Sequence, residues 1–118
     1  NKKQPTQTAL TEVFRTTSGT IHQSDEEACW YIDFGGKVAK FNYCCLKRLK
    51  KAVENVNVEQ MLMDPAKKSD LAIISICACD HCYVLTAIEI LAFKELIHGA
   101  FVMFALNHLV KDCLSRVI

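Results

Sequence analysis

The 118 residues contain only two prolines and four glycines. Gly-rich turns of the kind that build oxyanion holes are therefore lacking. A charge excess is missing as well: formal net charge is +1, so no global argument for a nucleic-acid or membrane partner starts from it. There is no internal repeat and no low-complexity tract. The opening "NKKQPTQTAL" has no apolar core and is not a signal peptide. The chain also starts without Met and reads as a piece cut from a longer protein.

Apolar material is plentiful. Hydrophobic residues make up 51% of the chain and charged residues 23%, which suits one globular core and excludes disorder over the whole length. The expectation is a single helical domain over 1–118, with residues 1–7 disordered. Its two parts differ. Residues 1–68 hold eleven Lys/Arg against eight Asp/Glu, whereas residues 69–118 hold three against five. A solvated, basic front and a buried, apolar back follow.

Seven cysteines, at positions 29, 44, 45, 77, 79, 82 and 113, are many for this length, and an odd number cannot all pair. Most sit among Ile, Leu and Ala rather than in Gly- or Pro-rich loops. That pattern points to reduced, buried thiols and a cytoplasmic or nuclear setting.

Periodicity gives a mainly α fold: a compact bundle of about four to five helices, with a short strand or hairpin near residues 29–36. "TALTEVFRTT" has the spacing of a short helix. Ser24 and Glu27 form a capping-box pair, and "WYIDF" reads as a strand ended by Gly35-Gly36. In "KVAKFNYCCLKRLKKAVENV", Val38, Phe41, Cys45, Leu49, Ala52 and Val56 form one helix face over 37–56, with Asn55 and Asn57 as terminators. "LAIISICA" fits a buried strand or a buried helix equally. "YVLTAIEILAFKELIHG" and "AFVMFALNHLVKDCLSRVI" read as helices, with Gly99 either ending the first or kinking one long helix.

The conspicuous cluster is "ISICACDHCYVL", which places Cys77, Cys79, His81 and Cys82 within six positions. Thiolates and imidazole are good zinc ligands, but a zinc ribbon needs two ligand pairs and only Cys79-x-x-Cys82 has the spacing. A thioredoxin-like redox site needs βαβ alternation that the periodicity does not give. A Cys-His hydrolase built on Cys82 or Cys29 with His22, His98 or His108 has no support in the spacing. The plain alternative is an apolar core containing small thiols, with Asp80-His81 marking a chain turn. Residues 71–93 are long enough to span a membrane, but Asp80, His81 and Glu89 near the middle argue against insertion.

Two functional readings remain. The first is a non-enzymatic intracellular module for protein–protein interaction or oligomerisation. It would use an apolar helical surface within 83–110, with Phe93, Ile97, Phe101, Met103 and Phe104 as contact residues for a protein partner or a second copy. The alternative is a zinc-stabilised nucleic-acid-binding domain. Cys77, Cys79, His81 and Cys82 would be its ligands, and Lys40, Lys47, Arg48, Lys50 and Lys51 would contact phosphates. The first reading needs no cofactor and neither involves a membrane.

Overall fold

The computed structural model describes residues 10–63, 71–76 and 81–117. Over these residues the chain is mixed α and β, which overturns the expected mainly α bundle of about four to five helices. The elements are β1 (Leu10–Arg15), β2 (Gly19–Ser24), β3 (Cys29–Phe34), β4 (Lys37–Phe41), α1 (Tyr43–Glu54), α2 (Val58–Met63), β5 (Ala72–Ile76), β6 (His81–Leu85) and α3 (Ala87–Val117). Strands β1 to β4 form an antiparallel meander in chain order, and β5 and β6 pair as a separate antiparallel hairpin.

The correction starts at "TALTEVFRTT". Its Thr and Val content favours a pleated backbone, and Leu10–Arg15 pairs with β2 rather than forming a helix. A register shift between Glu12 and Phe14 marks a bulge, beyond which Phe14 lies opposite Ile21. The Ser24–Glu27 pair does make its bond: the Glu27 N–H donates to Ser24 Oγ at 3.1 Å. That bond closes the turn between β2 and β3 instead of opening a helix. The next connection is Gly35-Gly36, with φ of 63° and 75°. Two consecutive positive φ values suit a two-residue hairpin turn, and Phe34 pairs with Lys37 across it.

The helix expected over 37–56 splits at Asn42. Before it the chain alternates, with Val38 and Lys40 exposed and Ala39 and Phe41 buried, the period of a strand. Asn42 is extended (φ −82°, ψ 174°), and its side chain accepts the Cys45 N–H at 2.8 Å. This is a helix N-cap in mid-segment, and α1 starts just after it. Asn55 caps the far end, while Asn57 Oδ1 accepts the Gln60 N–H at 3.0 Å and opens α2.

"LAIISICA" resolves as strand over Ala72–Ile76. Its antiparallel partner is His81–Leu85. Ile74 and Tyr83 face each other and are buried, whereas Ile73 and Val84 face each other and are exposed. A second capping device then separates strand from helix. Thr86 N–H donates to Glu89 Oε1 at 2.8 Å, and Glu89 N–H donates to Thr86 Oγ1 at 3.2 Å, a reciprocal capping box. From there α3 runs unbroken through Gly99 for 31 residues. Gly99 neither ends nor divides it.

One face of the meander carries Ile21, Ile32, Ala39 and Phe41, covered by Leu46, Leu49 and Val53 of α1 and by the first half of α3. Phe34 stacks on Phe93 with ring centroids 4.3 Å apart and planes 14° apart. The hairpin packs against α1 and α3 and adds Ile74, Tyr83 and Leu85 to the same core, and Lys37 Nζ donates to Cys82 O at 2.8 Å and lies 4.5 Å from the Tyr83 ring centroid. Burying each large apolar side chain contributes about 1.5–3 kcal/mol, so the shared core between sheet and helices dominates stability.

Candidate interaction surfaces

The long helix has two environments. Through Ala100 its inward row, Ile90, Phe93, Leu96, Ile97 and Ala100, is fully buried. From Ala105 to Ser115 every residue is exposed. Side chains three, four and seven residues apart share a helix face. Val102, Leu106, Leu109, Val110, Cys113 and Leu114 therefore form one apolar ridge, turned away from the inward row. Leu109 is 57% exposed and Leu114 58%. Asn107, His108, Lys111, Asp112 and Ser115 occupy the other side of these turns.

This arrangement distributes the expected contact residues over three settings. Phe93 and Ile97 are core residues with 0% and 2% exposure, so a partner cannot reach them on the folded chain. Phe101 and Phe104 are half-buried on the flank that faces α1 and β3. Met103, also half-buried, borders the ridge one turn before Leu106.

On the flank, residues distant in sequence form an aromatic cluster. Trp30 of β3 lies 5.6 Å from both Tyr43 and Phe104, and Phe101 lies 5.1 Å from Phe104 and 6.4 Å from Tyr43. The Trp30 Nε1–H donates to Gln23 Oε1 at 3.0 Å, which holds the indole in place. Two open clefts meet at Tyr43. One, of about 440 Å³, is walled by Trp30, Tyr43 and Phe104, with Asn107, His108 and Lys111 on its rim. The other, of about 380 Å³, lies between Tyr43 and Phe101 and carries Lys47, Lys50, Lys51 and Glu54. Lys47 Nζ is 5.3 Å from the Tyr43 ring and Lys50 Nζ 5.4 Å from the Phe101 ring. Lys50 also pairs with Glu54 at 2.7 Å.

The expected basic face is thus only partly assembled. Lys47, Lys50 and Lys51 share one side of α1 with Tyr43, and Arg48 projects about 100° round from Lys47. Lys40 belongs elsewhere: it lies on β4, paired in register with Tyr31, with its Nζ 3.7 Å from Glu27 Oε2. Tyr31 donates its hydroxyl to Glu27 Oε1 at 2.6 Å. That bond, helped by Lys40, holds the Glu27 carboxyl below its usual range and pushes the Tyr31 hydroxyl above its own. The neighbouring Cys29 thiol is raised mainly by burial, which keeps it an unreactive neutral group.

Of the candidate metal ligands, Cys77 and Cys79 lie outside the described residues, as does the His81 side chain. Cys82 is an exposed free thiol on β6. Among the described residues, no three His, Cys, Asp or Glu side chains are placed to hold a metal ion. Cys29, Cys44 and Cys113 are free as well, but Cys45 is disulfide-bonded. That departs from the all-thiol expectation. Among the described residues no helix is long and apolar enough to cross a membrane; part of the stretch tested for that role forms the β5–β6 hairpin instead.

No family model matches the chain, and neither a curated protein nor a solved structure matches it.

The aromatic cluster was hidden in the sequence because its members come from β3, α1 and α3. Only Tyr43 stands near the lysines along the chain. Val102, Leu106, Leu109 and Cys113 recur at helical spacing within the segment read as a helix, so the ridge was within reach of the sequence, but its separation from the core was not.

Proposed function

We propose that the chain is a non-enzymatic protein–protein interaction module that self-associates through the outer ridge of α3. The exposed apolar ridge from Val102 to Leu114 carries this reading. It is supported by the size of the side chains and by the polar margin on the other side of the same turns, the composition of a helix that packs against another helix. Two copies laid ridge to ridge remove both rows from water, and each leucine so buried contributes about 1.5–3 kcal/mol. Phe101, Met103 and Phe104 flank the contact, and no chemistry is asked of any residue. A cytoplasmic or nuclear setting is favoured by the free thiols at Cys29, Cys44, Cys82 and Cys113; the Cys45 disulfide weighs against it.

Sedimentation equilibrium tests the proposal. The chain is expected to associate in a concentration-dependent manner, and the double substitution Leu106→Glu with Leu109→Glu to give a monomer with an unchanged circular dichroism spectrum. A chain that stays monomeric at high concentration, or a double variant that still associates, overturns it.

A further inference from the structure

The two clefts that meet at Tyr43 combine two chemistries, and the larger touches the ridge at Val110. Trp30, Tyr43, Phe101 and Phe104 supply half-exposed rings, and Lys47, Lys50, Lys51 and Lys111 supply cations around them. Among the described residues, the only carboxylate lining either cleft is Glu54, which is already paired with Lys50. Rings on which flat groups can stack, bordered by positive charge along an open groove, are complementary to a strand with exposed bases and a phosphate backbone. A closed duplex keeps its base faces stacked inside and cannot offer them to these rings. An acidic peptide would satisfy the lysines but leave the rings unused.

We infer that the groove running from Lys111 past Trp30 and Tyr43 to Lys51 binds a short single strand of nucleic acid, with bases against the rings and phosphates on the lysines. Tyr43 is the shared platform, since it walls both clefts and is 48% exposed. Trp30, fixed by Gln23, forms the inner wall of the larger cleft. This inference does not rest on self-association through the ridge, although the larger cleft shares Val110 with it, and it requires no metal.

The chain's single tryptophan is Trp30, so its emission reports on the groove directly. A twelve-nucleotide oligothymidylate is titrated into the intact chain at low salt, with a duplex of the same length and a polyglutamate peptide in parallel. Quenching of Trp30 by the single strand is expected, with weaker binding of both controls. The salt dependence should have a slope of about −0.7 per phosphate neutralised, flattened by about that amount in Lys47→Ala. Tyr43→Ala, at an exposed position, should weaken binding by about fivefold or more with the far-ultraviolet circular dichroism unchanged. Absence of quenching, equal affinity for duplex or polyglutamate, or a folded Tyr43→Ala chain that binds as before would each overturn the assignment.

Discussion

The Phe14 ring of β1 occupies the space that a side chain on Gly99 of α3 would need. An edge strand and the middle of a long helix meet there, the strand's ring lying against the helix backbone. Alanine at position 99 would gain about 1 kcal/mol of intrinsic helix propensity. It would also force the Phe14 ring out of its site, and overpacking of this kind costs about 1–3 kcal/mol. Gly99→Ala is therefore expected to destabilise the chain in urea denaturation, and the double variant Gly99→Ala with Phe14→Ala to recover the propensity gain relative to Phe14→Ala alone.

Ala28 closes the turn between β2 and β3 with a φ of 54°. A side chain in the left-handed region costs about 1–2 kcal/mol, and glycine escapes most of that cost. Ala28→Gly should raise the urea midpoint by an amount equivalent to about 1 kcal/mol. An unchanged or lower midpoint would show that the turn does not hold this conformation in solution.

Tyr83 is buried between the hairpin and α3, with its ring 4.8 Å from that of Phe93. Its hydroxyl has no hydrogen-bond partner among the described residues. An unmatched buried hydroxyl costs about 1–3 kcal/mol, so Tyr83→Phe should be neutral to stabilising at pH 7. Burial also pushes the Tyr83 hydroxyl up to about 12 from an ordinary value near 10. Because its folded-state value is raised, its contribution is complete below pH 10 and is lost as the pH rises from 10 through 12. Denaturation across that range should show a decline that is smaller in Tyr83→Phe, and absorbance titration should show one fewer high-pH phenol in the variant.

The disulfide at Cys45 ties a buried position of α1 to the rest of the chain. Thiol counting on the denatured, unreduced chain should return fewer than the seven cysteines of the sequence. Mild reduction should lower stability by about 2–4 kcal/mol, a loss that Cys45→Ala reproduces under oxidising conditions. Seven reactive thiols and no effect of reductant would restore the fully reduced reading.

The helical half of the fold was more legible than the sheet. The apolar stripes of α1 and α3 have true helical spacing, so those elements stood out, but their starts did not. Phe41 fits the helix face of Cys45 and Leu49, yet it belongs to a strand, because Asn42 intervenes as a cap. Likewise Tyr83 and Leu85 continue the apolar run of α3 backwards, although Thr86 and Glu89 mark its true beginning. In both places a short polar side chain with a backbone N–H to satisfy was the available signal, and the longer periodicity masked it. The β1–β2 pairing was less accessible, since it rests on long-range contacts that a Thr-rich segment announces only by composition. Of the surfaces, the ridge followed from one helix, whereas the Trp30, Tyr43 and Phe104 cluster depends on three elements meeting.

Because α3 is continuous, the ridge is joined to the sheet-packed half of the helix without a hinge. Each residue advances the helix by about 1.5 Å and turns it by about 100°. One extra residue inserted after Phe104 would leave the core side chains and Val102 where they are and swing the ridge from Leu106 onward by more than a quarter turn. The direction in which a bound body lies is thus set by the helix's rotational phase, and is encoded by residue count as much as by residue type.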